Sequence, residues 1–438
     1  MENIIPVNGR IAIVDDSVEQ ALPLMTTLSK NNIPYTYYKG NDSESFPETP
    51  ENDIRILFLD LNLLGDKFQK SKEIRSSLIN TLRHLLSPEN YPYVLILWSR
   101  QEHEYKDVLE DVFGKELKDR APIAIKSYVK SDFFPNFAEE VDDSKDKQII
   151  LDELKRILSE FPAYSYLLQW ENQVHNSADA TIGDIFRDYR SHENWNGKAN
   201  CILEMLAKSY LEQSYENAAV ETKVKASLLL LDDVFYDSLE NGIINDQFDN
   251  TEEFTHNISE KEADTIAYKI NHCLLLSNVI DNITQPGCVF NYYSSKKYKT
   301  HFEEILDDCC SCSDDEKKAM KKTMIPCEVV VTPACDYAQN KSKTNRIVQG
   351  LLIESKYVYG KKKKIKNINN KTDAIYISPI FEYLKKCYVI ILNFRYFITD
   401  DMDTNKKSYT LFRLRTPMLS EIQSRLARHI NRQGIMNL

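Results

Sequence analysis

No stretch of this 438-residue chain reaches the roughly 18 consecutive apolar residues that a bilayer-spanning helix needs. The first residues also lack the charged-then-apolar pattern of a secretory signal. These two absences predict a soluble, cytoplasmic protein without membrane contact. A disulfide framework is missing as well: nine cysteines, an odd number, stand without regular spacing, as reduced thiols do. Nor is there a cationic excess. Lys and Arg number 55 against 66 Asp and Glu, and the net charge of −11 argues against broad nucleic-acid binding, which needs a positive footprint. Glycine is scarce, at 11 residues, while Asn, Lys, Ile and Tyr abound; we read that as a base-composition bias without mechanistic content. What is present suffices for a folded protein. Hydrophobic residues at 42 % and aromatic residues at 11 % exclude a mainly disordered chain, and the length accommodates two or three domains.

The stretch Ile54-Arg-Ile-Leu-Phe-Leu-Asp60-Leu-Asn62 organises the first third of the chain. It has the length of a strand buried on both faces, and such a strand has no use for an acid in its interior. Asp60 is therefore expected at an exposed C-terminal tip. Arg10-Ile-Ala-Ile-Val-Asp15-Asp16 stops in a pair of acids, and Tyr93-Val-Leu-Ile-Leu-Trp98-Ser99 stops in a hydroxyl. Parallel neighbours would bring these three tips together beyond the strand C-termini, where open α/β sheets carry out their chemistry. The product would be an oxygen cage for a hard divalent cation, with one carboxylate able to act as a nucleophile.

Between these runs the periodicity switches. Apolar residues at helical spacing follow Ser17, which is available as a cap, and Pro34-Tyr-Thr-Tyr-Tyr reads as a second strand before a polar loop. Helices are expected over 68–87 and 103–118, and a fifth strand within 122–130. Strict alternation of this kind predicts a doubly wound, five-stranded parallel sheet.

Asp15-Asp16, Asp60, Ser99 and a lysine on the fifth strand, in that order at the strand tips, resemble the receiver domains of two-component response regulators. The resemblance covers residues 1–137 and implies a flavodoxin-like fold. It implies that Asp60 accepts a phosphoryl group from a partner histidine kinase. Asp15, Asp16 and Asp60 would hold Mg²⁺ together with the main-chain carbonyl of Asn62, Ser99 would hydrogen-bond the phosphoryl group, and the lysine would pair with it. Tyr128-Val-Lys130-Ser131 matches the family's ending better than Lys126 does, so Lys130 is the expected lysine. Elementary electrostatics points the same way: clustered carboxylates repel one another without a cation, and an ammonium in reach stabilises a transferring phosphoryl group. The chain departs from the family in three places. Leu-Asn-Leu-Leu-Gly follows Asp60 where Met-Pro is usual, the segment from Asp60 to Ser99 is long, and Ser131 replaces a proline.

Residues 138–285 are expected to form a helical middle domain, with helices beginning at Ile149 and over 164–190, 198–214, 217–240 and 260–282. His175, near Trp170, reads as an ordinary partly buried histidine rather than a phosphoryl relay. Residues 286–438 are expected to form a β-rich α+β domain, a small barrel or twisted antiparallel sheet closed by a helix from Met418 to Gln433. Cys309-Cys310-x-Cys312, near Cys327, Cys335 and His301, lacks the paired knuckles of structural zinc and sits among acids and lysines. Exposed reduced thiols are expected there. Cys335 is a poor nucleophile, because Asp336 beside it raises a thiol pKa. Lys361-Lys-Lys-Lys-Ile-Lys366 reads as a hairpin or a disordered tip, with no helix-turn-helix pattern beside it.

Together these features suggest a signalling protein that takes a phosphoryl group on Asp60 and passes the signal to a downstream protein partner through an output that does not bind DNA. The layout resembles phage-defence phosphorelay proteins of the Detocs kind. Two rivals stand beside it: a phosphorylation-incompetent scaffold of receiver fold, and a receiver-switched enzyme with its active site in the C-terminal domain.

Overall fold

The computed structural model describes residues 4–40, 42–60, 71–99, 106–130, 146–187, 194–247, 254, 257–280, 284–291, 296–338, 344–360, 363–369, 372–401 and 410–431. The chain divides into two compact units, Met1–Ile202 with Leu229–Phe254, and Leu203–Leu228 with Thr255–Leu438. The expected boundary at residue 137 lies outside the described residues.

The first unit is built on β1 (Ile11–Asp15), β2 (Thr36–Lys39), β3 (Ile56–Leu59), β4 (Val94–Ser99) and β5 (Ala124–Val129). All neighbours are parallel, in the order β2-β1-β3-β4-β5. The doubly wound parallel sheet is what the alternation predicts, and its strand order is the flavodoxin-like one that the resemblance implies. Among the described residues, α1 (Val18–Lys30), α2 (Ser71–Leu85), α3 (Lys106–Lys115), α4 (Asp146–Ser159) and α5 (Pro162–Phe186) accompany it. The apolar runs are continuous because alternate residues leave opposite faces, and both faces are covered. Ile11, Ile13, Phe58, Ile96 and Trp98 pack with Leu24 and Leu28 of α1, Leu154 of α4 and Leu168 of α5. Val14, Leu57, Leu59, Leu95 and Leu97 pack with Leu78 and Leu82 of α2 and Val112 of α3.

The β2–β3 connection is the polar loop expected after the second strand, and it carries a short 3-10 turn (Ser43–Ser45) capped by Asp42. Its Ser-, Glu- and Pro-rich sequence has no apolar stripe to bury. Ser17 does stand at the N-cap of α1, but its hydroxyl makes no cap bond. The hydroxyl donates to Glu19 at 2.8 Å, and the Ser17 N–H donates to Asp15 Oδ1 at 3.0 Å.

Helix α5 is tied to the N-terminal rim of the sheet through Glu171. Its carboxylate accepts from Arg10 Nη1 at 2.7 Å and from Arg55 Nε and Nη2, each at 3.0 Å. These arginines immediately precede β1 and β3, at the end opposite the acid tips. His175, on the same helix, lies with Nε2 3.3 Å from Arg10 Nη2 and is half-buried.

Beyond it run α6 (Trp195–Leu211), α7 (Val220–Asn245) and α8 (Glu260–Leu275). The helix expected over 260–282 stops early, because the chain turns into a strand at Leu276.

The second unit holds an eight-stranded antiparallel sheet: β6 (Leu276–Ser277), β7 (Cys288–Phe290), β8 (Ile325–Val330), β9 (Thr344–Glu354), β10 (Ile375–Ile377), β11 (Phe381–Tyr383), β12 (Lys386–Asp401) and β13 (Thr410–Leu414). The order is β10-β12-β9-β8-β7-β13-β6, with β11 also on β12. Of the two expected forms, the curled antiparallel sheet is the one formed. One face buries Cys327, Val348, Ile390 and Leu392 under Met418, Ile422 and Leu426 of the closing helix (Thr416–Ile430). The other buries Leu351, Ile353, Val389 and Ile391 under α9 (Lys296–Cys309) and α10 (Asp314–Thr323). Gly350 lies where a Cβ would collide with the Ile391 carbonyl of β12, so only glycine permits this approach of β9 and β12.

Replacing Glu171 by Ala strands two partly buried guanidinium groups. Urea denaturation should show a loss of about 2 kcal/mol, discounted from the full cost of an orphaned buried charge because the pair keeps some solvent. A neutral result would remove the clamp from the account of how α5 is held.

Candidate functional site at the strand tips

The β1–β3 register pairs Val14 with Leu59, and the Asp60 N–H continues the ladder to the Val14 carbonyl at 2.8 Å. The next residue on each strand is therefore an acid, and parallel pairing sets Asp15 beside Asp60. Asp16 completes the group: one carboxylate oxygen from each of Asp15, Asp16 and Asp60 lies within 4.8 Å of the others. Lys130 follows directly on β5. Its Nζ donates to Asp15 Oδ2 at 2.5 Å, lies 3.3 Å from Asp60 Oδ2, and reaches Gln20 Oε1 at 3.2 Å.

Lys126 goes elsewhere, to an ion pair with Glu160. The four steps along the strand from Lys126 to Lys130 are worth about 13 Å, so the two lysines cannot serve the same end of the sheet. The side chain of Ser99 lies outside the described residues, although its backbone ends β4 opposite Val129. Asn62 lies outside them altogether.

One expectation is overturned. Asp60 does stand at the C-terminal tip of its strand, but the tip is not exposed: Asp60 is 2 % exposed, and Asp15 and Lys130 are 0 %. The ammonium group makes this burial tolerable, since it balances two carboxylates that could not share a dry site alone. Asp16 remains half-buried.

Burial pushes the Asp15 carboxyl up to about 6, with Lys130 pulling it down and Asp60 adding to the rise. The Asp15 main-chain carbonyl accepts from the Tyr37 hydroxyl at 2.9 Å and from the Gly40 N–H at 2.9 Å. Burial in turn pushes the Tyr37 hydroxyl up to about 12, with Asp15 and Asp16 adding to it. Gln20, Tyr37 and the Ser17 N–H were not singled out from sequence. Only Gln20 left a signal, one helical turn past the acid pair.

Three carboxylates in reach of one another fit a hard divalent cation in kind. Lys130 already occupies Oδ2 of both Asp15 and Asp60, so an ion would share those carboxylates with it.

Elsewhere, Cys309 and Cys310 are buried against α10 and β12 rather than exposed as expected, because α9 turns them inward with Phe302, Ile305 and Leu306. Burial pushes the Cys309 thiol up to about 12 and raises Cys310 and Cys327 further, which makes them inert packing residues. The Cys335 side chain lies outside the described residues. Lys363, in the basic run, pairs with Asp264 at 2.5 Å.

The strand order and the acid–lysine cluster thus define the first unit as a flavodoxin-like α/β module with a charged site at its strand tips. Compared with known proteins, the chain matches no family model and no curated protein.

Two outcomes follow. Replacing Lys130 by Met leaves Asp15 and Asp60 buried without a counter-charge, and should cost about 3–5 kcal/mol in EDTA. Added Mg²⁺ should recover more of the melting temperature in that variant than in wild type; an indifferent melting temperature would mean the lysine is not the balancing charge. The Asp15 carboxyl sits above its ordinary value of 3.8, so between about 4 and about 6 the folded chain holds a proton that the unfolded chain has lost. Its contribution to stability is therefore present below that window and is lost as pH rises through it. In EDTA, the stability of wild type relative to Asp15→Asn should fall from pH 4 to pH 6, read by denaturant titration. A flat or rising difference would contradict the assignment.

Proposed function

We propose that the first unit is a receiver-like module that accepts a phosphoryl group on Asp60 from a phosphohistidine of a partner kinase. The observation that carries this reading is the convergence of Asp15, Asp16, Asp60 and Lys130 at one end of a parallel sheet, in the pattern a phospho-acceptor requires. A carboxylate oxygen of Asp60 attacks phosphorus; the phosphorus–nitrogen bond breaks, and its electron pair stays with the donor imidazole. The Lys130 ammonium, already within reach of Asp60, pairs with a phosphoryl oxygen and offsets its growing charge. Asp15 and Asp16 would hold Mg²⁺, which when bound supplies the second positive charge on the phosphoryl oxygens. The modified Asp60 gains charge and acceptor oxygens, and its pull on Lys130 competes with that of Asp15. That competition is the switch, and the signal passes to a downstream protein partner, in a setting such as phage defence.

One observation favours a second reading, a receiver-fold scaffold without phosphoryl chemistry. Asp60 is 2 % exposed and its Oδ2 already faces an ammonium group, so a donor must displace part of that closed arrangement.

Phosphate-affinity gel electrophoresis with a small acyl phosphate donor and Mg²⁺ separates the two. Phosphorylation predicts a retarded band that disappears in Asp60→Asn and with EDTA, and that persists in Lys126→Ala. No retarded band in wild type would favour the scaffold.

A further inference from the structure

Helix α7 presents two unlike faces between Leu229 and Asn245. Leu231, Phe235, Ser238, Leu239 and Gly242 are half-buried on one side. That side abuts α5: a Cβ on Gly242 would lie 2.8 Å from Gln173 Oε1, and Gln173 Nε2 donates to Asp246 at 2.9 Å. The opposite side carries Leu229, Tyr236 and Ile243 at seven-residue spacing, exposed by 49 %, 66 % and 37 %, with Ile244 beside them at 72 %. A heptad line of apolar residues on the solvent side of a helix is a seam without its partner.

Charge says what that partner is. Asp233 and Glu240 follow Leu229 and Tyr236 by four positions and so share their strip, while Asp232 and Asp237 flank it. All four are exposed, and from Ala226 to Gln247 the chain has no lysine or arginine. A second copy of the helix is a poor occupant. Antiparallel pairing centred on Tyr236 sets Leu229 against Ile243 but also Asp232 against Glu240, and parallel pairing sets each acid near itself.

We propose that the outer face of α7, from Leu229 to Ile244, is a docking seam for a basic amphipathic helix of another protein. Its apolar heptad residues lie on Leu229, Tyr236 and Ile243, and its flanking Lys or Arg face Asp233 and Glu240. The seam stands independently of phosphoryl chemistry at Asp60.

The test uses the full chain and a labelled synthetic peptide with Leu at the two core heptad positions and Lys at the flanking ones, read by fluorescence anisotropy. A peptide of the same composition, scrambled to abolish the stripe, is the control. The amphipathic peptide should bind, weaken about tenfold with Tyr236→Ala or Asp233→Lys/Glu240→Lys, and weaken as salt is raised. Circular dichroism of these variants should be unchanged, since the altered side chains are exposed. Equal binding of the scrambled peptide, or binding indifferent to the double charge reversal, overturns the proposal. So does a wild-type dimer in light scattering that Tyr236→Glu splits, which would make the occupant a second copy.

Discussion

The ammonium of Lys130, held between Asp15 and Asp60 where the sheet ends, is the interaction on which the geometry of this unit turns. Asp15 and Asp60 lie together away from water at 0 % and 2 % exposure, and burial, with Asp60 adding to it, raises the cost of ionising Asp15. The lysine offsets both at once, and only if β1, β3 and β5 all end on the same side. A parallel sheet ensures that; an antiparallel one would send alternate tips to opposite rims. The same lysine makes the site electrically poised, because anything that adds negative charge at Asp60 redistributes its attraction between the two acids.

The rest of the first unit serves to keep those ends in register. The strands are apolar on both faces, so α1 and α4 on one side and α2 and α3 on the other seal them, and a slip of one residue would turn each core face outward. At the far rim, the Glu171 carboxylate gathers Arg10 and Arg55, which stand at the starts of the two strands that carry Asp15 and Asp60. One end of β1 and β3 is thus tied by a carboxylate between two cations, and the other by a cation between two carboxylates. The second unit solves a different problem. Among the described residues, one face of its antiparallel sheet packs under the closing helix and the other under α9 and α10, where Cys309 and Cys310 are buried.

Much of this was legible from residue order. Apolar runs ending in Asp15, Asp60 and Ser99 marked strands with polar residues at their C-termini, and the resemblance to receiver domains favoured Lys130 over Lys126. The polar stretch after β2 carried its own warning, since a segment without an apolar stripe has nothing to bury a helix against. Burial was harder to read. Asp60 at a strand tip looked open to solvent, and cysteines among acids and lysines looked exposed. In both cases the outcome depended on a residue far away in the chain: Lys130 for the acids, and the facing strand β12 for Cys309.

What the sequence determined by itself was therefore the periodic and the terminal: which runs are strands, which residues end them, and that they alternate with helices in a parallel sheet. These follow from local sterics and from the need to hide apolar side chains, both of which act over a few residues. Only the tertiary structure decided that an ammonium group sits between the two buried acids, that the site is closed, and that α7 turns an acidic apolar seam outward. Those outcomes are sums of contacts between distant segments, and no window of neighbouring residues contains them.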